Sequence, residues 1–331
     1  MKMRRTHAGL GSGVRRVLAV AALAAIPVVS ATAAVPASAA PQPTSTSAQV
    51  AGAHTLVSAG YDMVGSDGGV FVFGSSTGFY GSLPGIGVHV HNIVGMVGSA
   101  NGGGYFLVGS DGGVFSFGST GFYGSLPGIG VRTNSIVGIV ATADGGGYYL
   151  VGRDGGVFAF GDAPYIQSLP GKGIQVSDVT AIVAKPDLTG YWLIERDGTI
   201  WGLGTAAQFS QYQPCYVLRT CAPFIGGAST STGNGLWLVN INGDVDYYGD
   251  ANFFGDTFYV GNSATGIPSG NPQPTNIVSI VSPFGDDNGY FLVGADGGIF
   301  NYGTTSFFGS LPGIGVHVSN IVGAVPTVAA A

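Results

Sequence analysis

The sequence predicts an all-β fold, a six-bladed β-propeller with four-stranded blades, and three observations carry that expectation. A fifteen-residue phrase recurs six times, an Asp-Gly or Asn-Gly pair sits inside every copy, and the period is 43 to 45 residues over most of the chain. Periods of that length with several short strands each are the signature of propeller blades. The copies are GYDMVGSDGGVFVFG (60–74), GYFLVGSDGGVFSFG (104–118), GYYLVGRDGGVFAFG (147–161), GYWLIERDGTIWGLG (190–204), GLWLVNINGDVDYYG (235–249) and GYFLVGADGGIFNYG (289–303). Their turn residues Asp67, Asp111, Asp154, Asp197, Asn242 and Asp296 are spaced by 44, 43, 43, 45 and 54, the last interval holding the insertion 261–274.

Each copy supplies its strands in order. Two apolar and aromatic runs flank the turn pair, which tolerates positive φ and so favours a hairpin. A third run precedes them, as in NIVGMVGSA (92–100), SIVGIVATA (135–143), DVTAIVAKP (178–186) and NIVSIVSPF (276–284). A fourth follows, as in GFYGSLPG (78–85 and 121–128), APYIQSLPG (163–171) and SFFGSLPG (306–313). The first copy lacks room for the preceding run, whereas NIVGAVPT (320–327) stands alone after the last copy. This offset predicts that the C-terminal strand completes the first blade and closes the ring, leaving no open edge.

The N-terminal region reads as an export signal. Lys2, Arg4, Arg5, Arg15 and Arg16 precede an apolar stretch from Val17 to about Ala34, and small residues then run through Ala37, Ser38, Ala39 and Ala40. That pattern is a signal peptide over 1–40, followed by a polar linker over 41–52 and the six-repeat domain over 53–327. Pro27, Ser30 and Thr32 interrupt the apolar run, which argues against a membrane anchor. Cleavage would remove five of the eleven Lys and Arg and none of the seventeen acids, leaving six against seventeen, a net charge near −11. So acidic a chain excludes nucleic acid as a partner. An exported chain with two cysteines also favours a disulfide between Cys215 and Cys221. Closing so short a loop stabilises by roughly 2 to 2.5 kcal/mol.

The phrase GYFLVGSDGGVFSFG with its trailing GFYGSLPG resembles the glycine-rich tandem repeat of exported actinobacterial proteins, over nearly the whole chain after residue 52. More distantly it is similar to tectonin and tachylectin-type propellers, a resemblance that implies sugar recognition without carrying over any binding residue.

Chemistry-bearing motifs are few. No G-x-S-x-G elbow occurs, and the repeated aspartates have a backbone role in their turns. Asp244, Asp246 and Asp250 form the one acidic cluster; oxygen ligands of this kind suit calcium, though the glycine and distal glutamate of an EF-hand loop are missing. No other cofactor is expected. The repeated pairs Phe79-Tyr80, Phe122-Tyr123 and Phe307-Phe308 put neighbouring rings on opposite faces of an extended chain. One ring of each pair therefore packs between blades while the other is free to face the surface, where Tyr80, Tyr123 and Phe308 are the candidate ligand-binding rings. The alternative is that both rings fill inter-blade core, which Ile166 at the matching position of the third copy favours. The irregular stretch 211–223 in the fourth copy adds Tyr212, Tyr216 and Arg219 as candidates. The expectation is a secreted or cell-surface monomer, a non-enzymatic propeller that binds cell-wall or extracellular glycan. A structural or protein-interaction propeller and an extracellular hydrolase are the alternatives.

Overall fold

The structure is a computed structural model that describes residues 58–74, 78–99, 102–210, 222–257, 276–283 and 287–328, all within the compact unit Ala34–Ala331. Its strands are β1 (Ser58–Gly65), β2 (Val70–Gly74), β3 (Ile93–Gly98), β4 (Gly104–Gly109), β5 (Val114–Gly118), β6 (Ile136–Ala141), β7 (Gly147–Gly152), β8 (Val157–Gly161) and β9 (Val179–Ala184). They continue as β10 (Gly190–Glu195), β11 (Ile200–Gly204), β12 (Phe224–Ser229), β13 (Leu236–Asn240), β14 (Val245–Tyr248), β15 (Ile277–Val281), β16 (Gly289–Gly294), β17 (Ile299–Gly303) and β18 (Ile321–Val328). Five antiparallel sheets take three consecutive strands each, from β3-β4-β5 to β15-β16-β17. The sixth has the order β18-β1-β2, with Tyr61 opposite Pro326 and Met63 opposite Ala324.

The hairpins form where the turn pairs predict them. Asp67 Oδ1 accepts the N–H of Gly69 at 3.0 Å, and Gly68 takes φ 75°, which brings β1 and β2 into register with Val64 opposite Val70. Gly112, at φ 76°, has a second reason to be glycine: a Cβ there would stand 2.5 Å from the buried Leu126.

Adjacent sheets are joined by a repeated backbone circuit. Ser66 donates its N–H to Asn320 O at 2.8 Å and accepts from Ile93 at 3.1 Å, so one turn residue ties its own first strand to that of the next sheet. The same two bonds recur at Ser110, Arg153, Arg196, Ile241 and Ala295. First strands accordingly neighbour one another in the order β18, β3, β6, β9, β12, β15 and again β18. Apolar packing follows this order: one buried cluster combines Tyr61, Met63, Phe291, Val293 and Ile321, from the first and last copies.

No sheet has a fourth strand among the described residues, which corrects the expectation of four-stranded blades. The run expected to supply it is an irregular strap over 78–87, repeated at 121–130, 164–173 and 306–315. Gly78 and Gly81 sit at φ 126° and 128°, outside the strand region, and Pro84 opens a 3₁₀ turn closed by Gly87 at φ 76°. Leu83 anchors the strap by giving its N–H to Gly68 O at 3.1 Å.

Candidate functional site

The straps decide which aromatic side chains face solvent. A buried tyrosine of the next middle strand reaches each strap: Tyr61, Tyr105, Tyr148 and Tyr191 donate their hydroxyls to the carbonyls of Gly309, Gly81, Gly124 and Gln167. Tyr290 does the same to Gly255 at 2.6 Å. Burial pushes the Tyr61 hydroxyl up to about 12, so it remains a neutral donor across the physiological range. Its partner on Gly309 links the first copy to the last.

This latch turns the second ring of each strap pair inward. Tyr80 packs edge-on against Tyr105, with centroids 5.7 Å apart, and donates to Gly102 O at 2.7 Å. Tyr123 lies against Tyr148 and donates to Gly145 O at 2.7 Å, while Phe308 packs edge-on against Tyr61. The three candidate rings Tyr80, Tyr123 and Phe308 are thus half-buried and seal the joints between sheets. Their partners take the outer position: Phe79, Phe122, Tyr165 and Phe307 are 52 to 61% exposed, and Phe253 occupies the same place in the fifth copy at 39%. Beside these rings the straps offer exposed Ile86, Ile129 and Ile314. Tyr165 marks how close the ring and the 3₁₀ turn lie, since its hydroxyl donates to Ser168 Oγ at 3.0 Å. In the fourth copy Gln208 replaces the ring. It accepts the N–H of Gly202 at 3.0 Å and donates to Ile200 O, filling bonds that an outer strand edge leaves open.

The acidic cluster is not assembled. Asp244 is buried at one end of β14, where Asn240 takes its N–H at 3.0 Å and gives an amide proton to its Oδ2 at 2.8 Å. Asp250 lies beyond the other end, accepting from the hydroxyls of Thr230 at 2.9 Å and Thr232 at 2.6 Å. The four residues of β14 hold them about 13 Å of extended chain apart, with Asp246 on the strand between. Among the described residues no group of three or more His, Cys, Asp or Glu side chains is placed to hold a metal ion. Cys215, Cys221, Tyr212, Tyr216 and Arg219 lie outside the described residues.

A different acidic arrangement escaped the sequence reading. Glu195 stands where the first, second, third and sixth copies have glycine, and Trp201 Nε1 donates to its Oε1 at 2.6 Å. Burial, then its side-chain hydrogen bond to Asp178 and the nearby charges, push the Glu195 carboxyl up to about 7. Glu195 therefore holds its proton to near neutral pH, with the indole of Trp201 beside it. The signal was available as three departures from the repeat, Asp178, Glu195 and Trp201, in one copy.

The turn aspartates are engaged by their own backbone. Asp67, Asp111, Asp154, Asp197 and Asp296 each accept the N–H two residues on, at 2.8 to 3.0 Å. In the fifth copy the role passes to Asn240, which takes the N–H groups of Asn242 and Asp244.

The crystal structure of a nidogen/laminin complex contains a chain that matches 82% of this one over 99% of its own length, with a TM-score of 0.53 and 8% identity. The fold is a β-propeller. No protein-family model and no curated protein matches the chain in sequence. At 8% identity the likeness extends to the fold alone, and the residues that would recognise a ligand have to be argued from this propeller's own surface.

Proposed function

We propose that the chain is an exported, non-enzymatic binding propeller, a closed ring of six blades whose outward rings engage extracellular glycan. The supporting observation is that one repeat position is aromatic in five of six copies and exposed in all five, although the fold needs only its neighbour for packing. A pyranose is apolar on one face and polar at its edges, and an aromatic face beside hydroxyls and backbone amides complements it. The straps carry charge-free rings above a turn in which Ser82, Ser125 and Ser310 accept the N–H groups of Gly85, Gly128 and Gly313 at 3.2 Å, Ser82 and Ser125 themselves being buried. An uncharged glycan suits this acidic chain better than a polyanionic one.

Closure is favoured by the pairing of β18 with β1, by the Tyr61 latch and by the recurrence at Ser66 of the bonds made at the five other turns. Membership of the exported actinobacterial repeat proteins would fit both the signal-like N-terminus and this surface. Retention on insoluble polysaccharide and peptidoglycan tests the reading. Wild type should co-sediment and a Phe79→Ala, Phe122→Ala, Phe307→Ala triple variant should not. Equal sedimentation of the two, or none for wild type on a broad set of glycans, would overturn it. The exposed isoleucines favour a second reading, a protein partner at the cell surface. Under that reading a pulled-down protein, and no glycan, would depend on the same rings.

A further inference from the structure

The third position of the Gly-Tyr phrase holds Phe106, Tyr149, Trp192, Trp237 and Phe291 in five copies, each almost completely buried. In the first copy it holds Asp62, also buried at 3% exposure, and its Oδ1 has no hydrogen-bond partner. A carboxylate in so dry a place is costly unless it is paired, hydrogen-bonded or protonated.

Its surroundings offer no pairing. Directly opposite on β18 and β2 stand Val325 and Val72. Thr327, two residues along β18 from Val325, shares that face, and its hydroxyl likewise lacks a partner. From the second sheet the titratable neighbour is Tyr105, whose hydroxyl is committed to Gly81 O and pushed further upward by the Asp62 charge. From the strap it is Tyr80, packed on Tyr105 and bonded to Gly102 O. Among these described neighbours there is no cation. Burial alone raises the Asp62 carboxyl to about 7.

The geometry points to Asp62 as a proton-operated control on the joint between the first and second blades. As a neutral acid it sits in the aromatic position; ionised, it draws water into the joint and loosens the β18-β1-β2 sheet, where the first and last described strands meet. The folded chain holds this proton more tightly than the unfolded chain does. The stability it confers is complete below the ordinary value of 3.8, declines as pH rises, and is gone above about 7. Across that window the unfolding constant should rise about a thousand-fold from this group.

Urea unfolding of wild type and Asp62→Asn at pH 4.5, 6 and 8 tests the inference, with Glu195 present in both so that its own titration cancels. The ratio of the two unfolding constants should change by two to three orders of magnitude between pH 4.5 and 8, and a ratio independent of pH would overturn the idea. Hydrogen exchange on wild type alone, corrected for intrinsic rates, gives a second reading that needs no variant. Opening at pH 8 should be concentrated in β1 and β18 compared with β6 and β7. Equal opening in all six sheets would sink the proposal, as would greater protection of β1 at pH 8 than at pH 4.5.

Discussion

If the ring is closed, the joint between first and last copies must contribute as much as any interior joint, and Tyr61→Phe measures it. The variant keeps the ring, its packing on Phe73, Phe291 and Phe308, and its own complete burial. What goes is the hydroxyl that donates to Gly309 O and accepts the N–H of Phe308 at 3.2 Å. Two bonds of about 0.5 to 1.5 kcal/mol each make the expected loss about 1 to 3 kcal/mol. For a domain of this size that is roughly 3 to 9 °C in melting temperature. The control is Tyr148→Phe, which removes the equivalent pair to Gly124 and Tyr123 at an interior joint. Thermal unfolding followed by far-UV circular dichroism should give equal losses. If Tyr148→Phe lowers the midpoint and Tyr61→Phe leaves it unchanged, the ring is open at that joint in solution. Truncation after Asn320 is the severe version. It removes Ile321, Val322 and Val325, all fully buried, at about 1.5 to 3 kcal/mol each, a sum comparable to a whole domain's stability.

Other changes separate surface from scaffold. Ala at Phe79, Phe122 and Phe307 together should leave unfolding within about 0.5 kcal/mol per site of wild type while abolishing glycan retention, because exposed side chains contribute little to folding. Tyr80→Ala should do the reverse in urea titrations, destabilising the fold by opening the joint to Tyr105. Gly112→Ala combines a positive φ with a Cβ 2.5 Å from Leu126, and should cost about 2 to 4 kcal/mol; a loss under 0.5 would refute the turn geometry. Carbon-13 titration of the Glu195 carboxyl should show a midpoint near 7 that falls towards ordinary glutamate values in Asp178→Asn. Because the folded value is raised, whatever Glu195 adds to stability is greatest at acid pH and is lost as pH climbs through 7.

Most of the scaffold was legible because its signals are local. Asp-Gly pairs specify turns within four residues, and β3, β6, β9 and β15 lie inside the apolar runs that predicted them. Strand β12 was hidden because Gly226 and Gly227 dilute its pattern in FIGGAS. The fourth strand was misjudged because GFYGSLPG carries strand-like aromatics, whereas the glycine after the pair, at φ 124 to 128° in Gly81, Gly124, Gly255 and Gly309, fixes a different path. Alternation allowed one ring of each pair to lie outside, and the structure places Phe79, Phe122 and Phe307 there rather than burying both rings. Which ring went where depended on Tyr105 and Tyr148, residues of the next copy some 25 positions away, so no local pattern could decide it. The proposed calcium cluster failed for a related reason. Even spacing puts carboxylates on one face of a strand, but Asp244 and Asp250 belong to turns at its two ends and already have partners there.

The departures from the repeat carry more information about use than the repeat itself. A ring of identical blades would be stabilised equally at every joint and would offer the same surface all round. Two of this chain's departures from its aromatic positions have different consequences. Gln208, at the outer position, replaces an exposed ring by an amide that satisfies its own strand edge, so it removes a contact surface and leaves the fold intact. Asp62, at the third position of the Gly-Tyr phrase, replaces a buried ring by an acid whose Oδ1 has no partner, so it leaves the surface intact and weakens a joint. Exchanging the two defects distinguishes surface from scaffold within one protein. Gln208→Phe should add a fifth strongly exposed ring and strengthen retention on glycan without raising stability. Asp62→Phe should raise stability at neutral pH without changing retention. If Asp62→Phe altered retention as much as Gln208→Phe, the outer rings would not be the binding surface, and the site would have to lie along the joint itself.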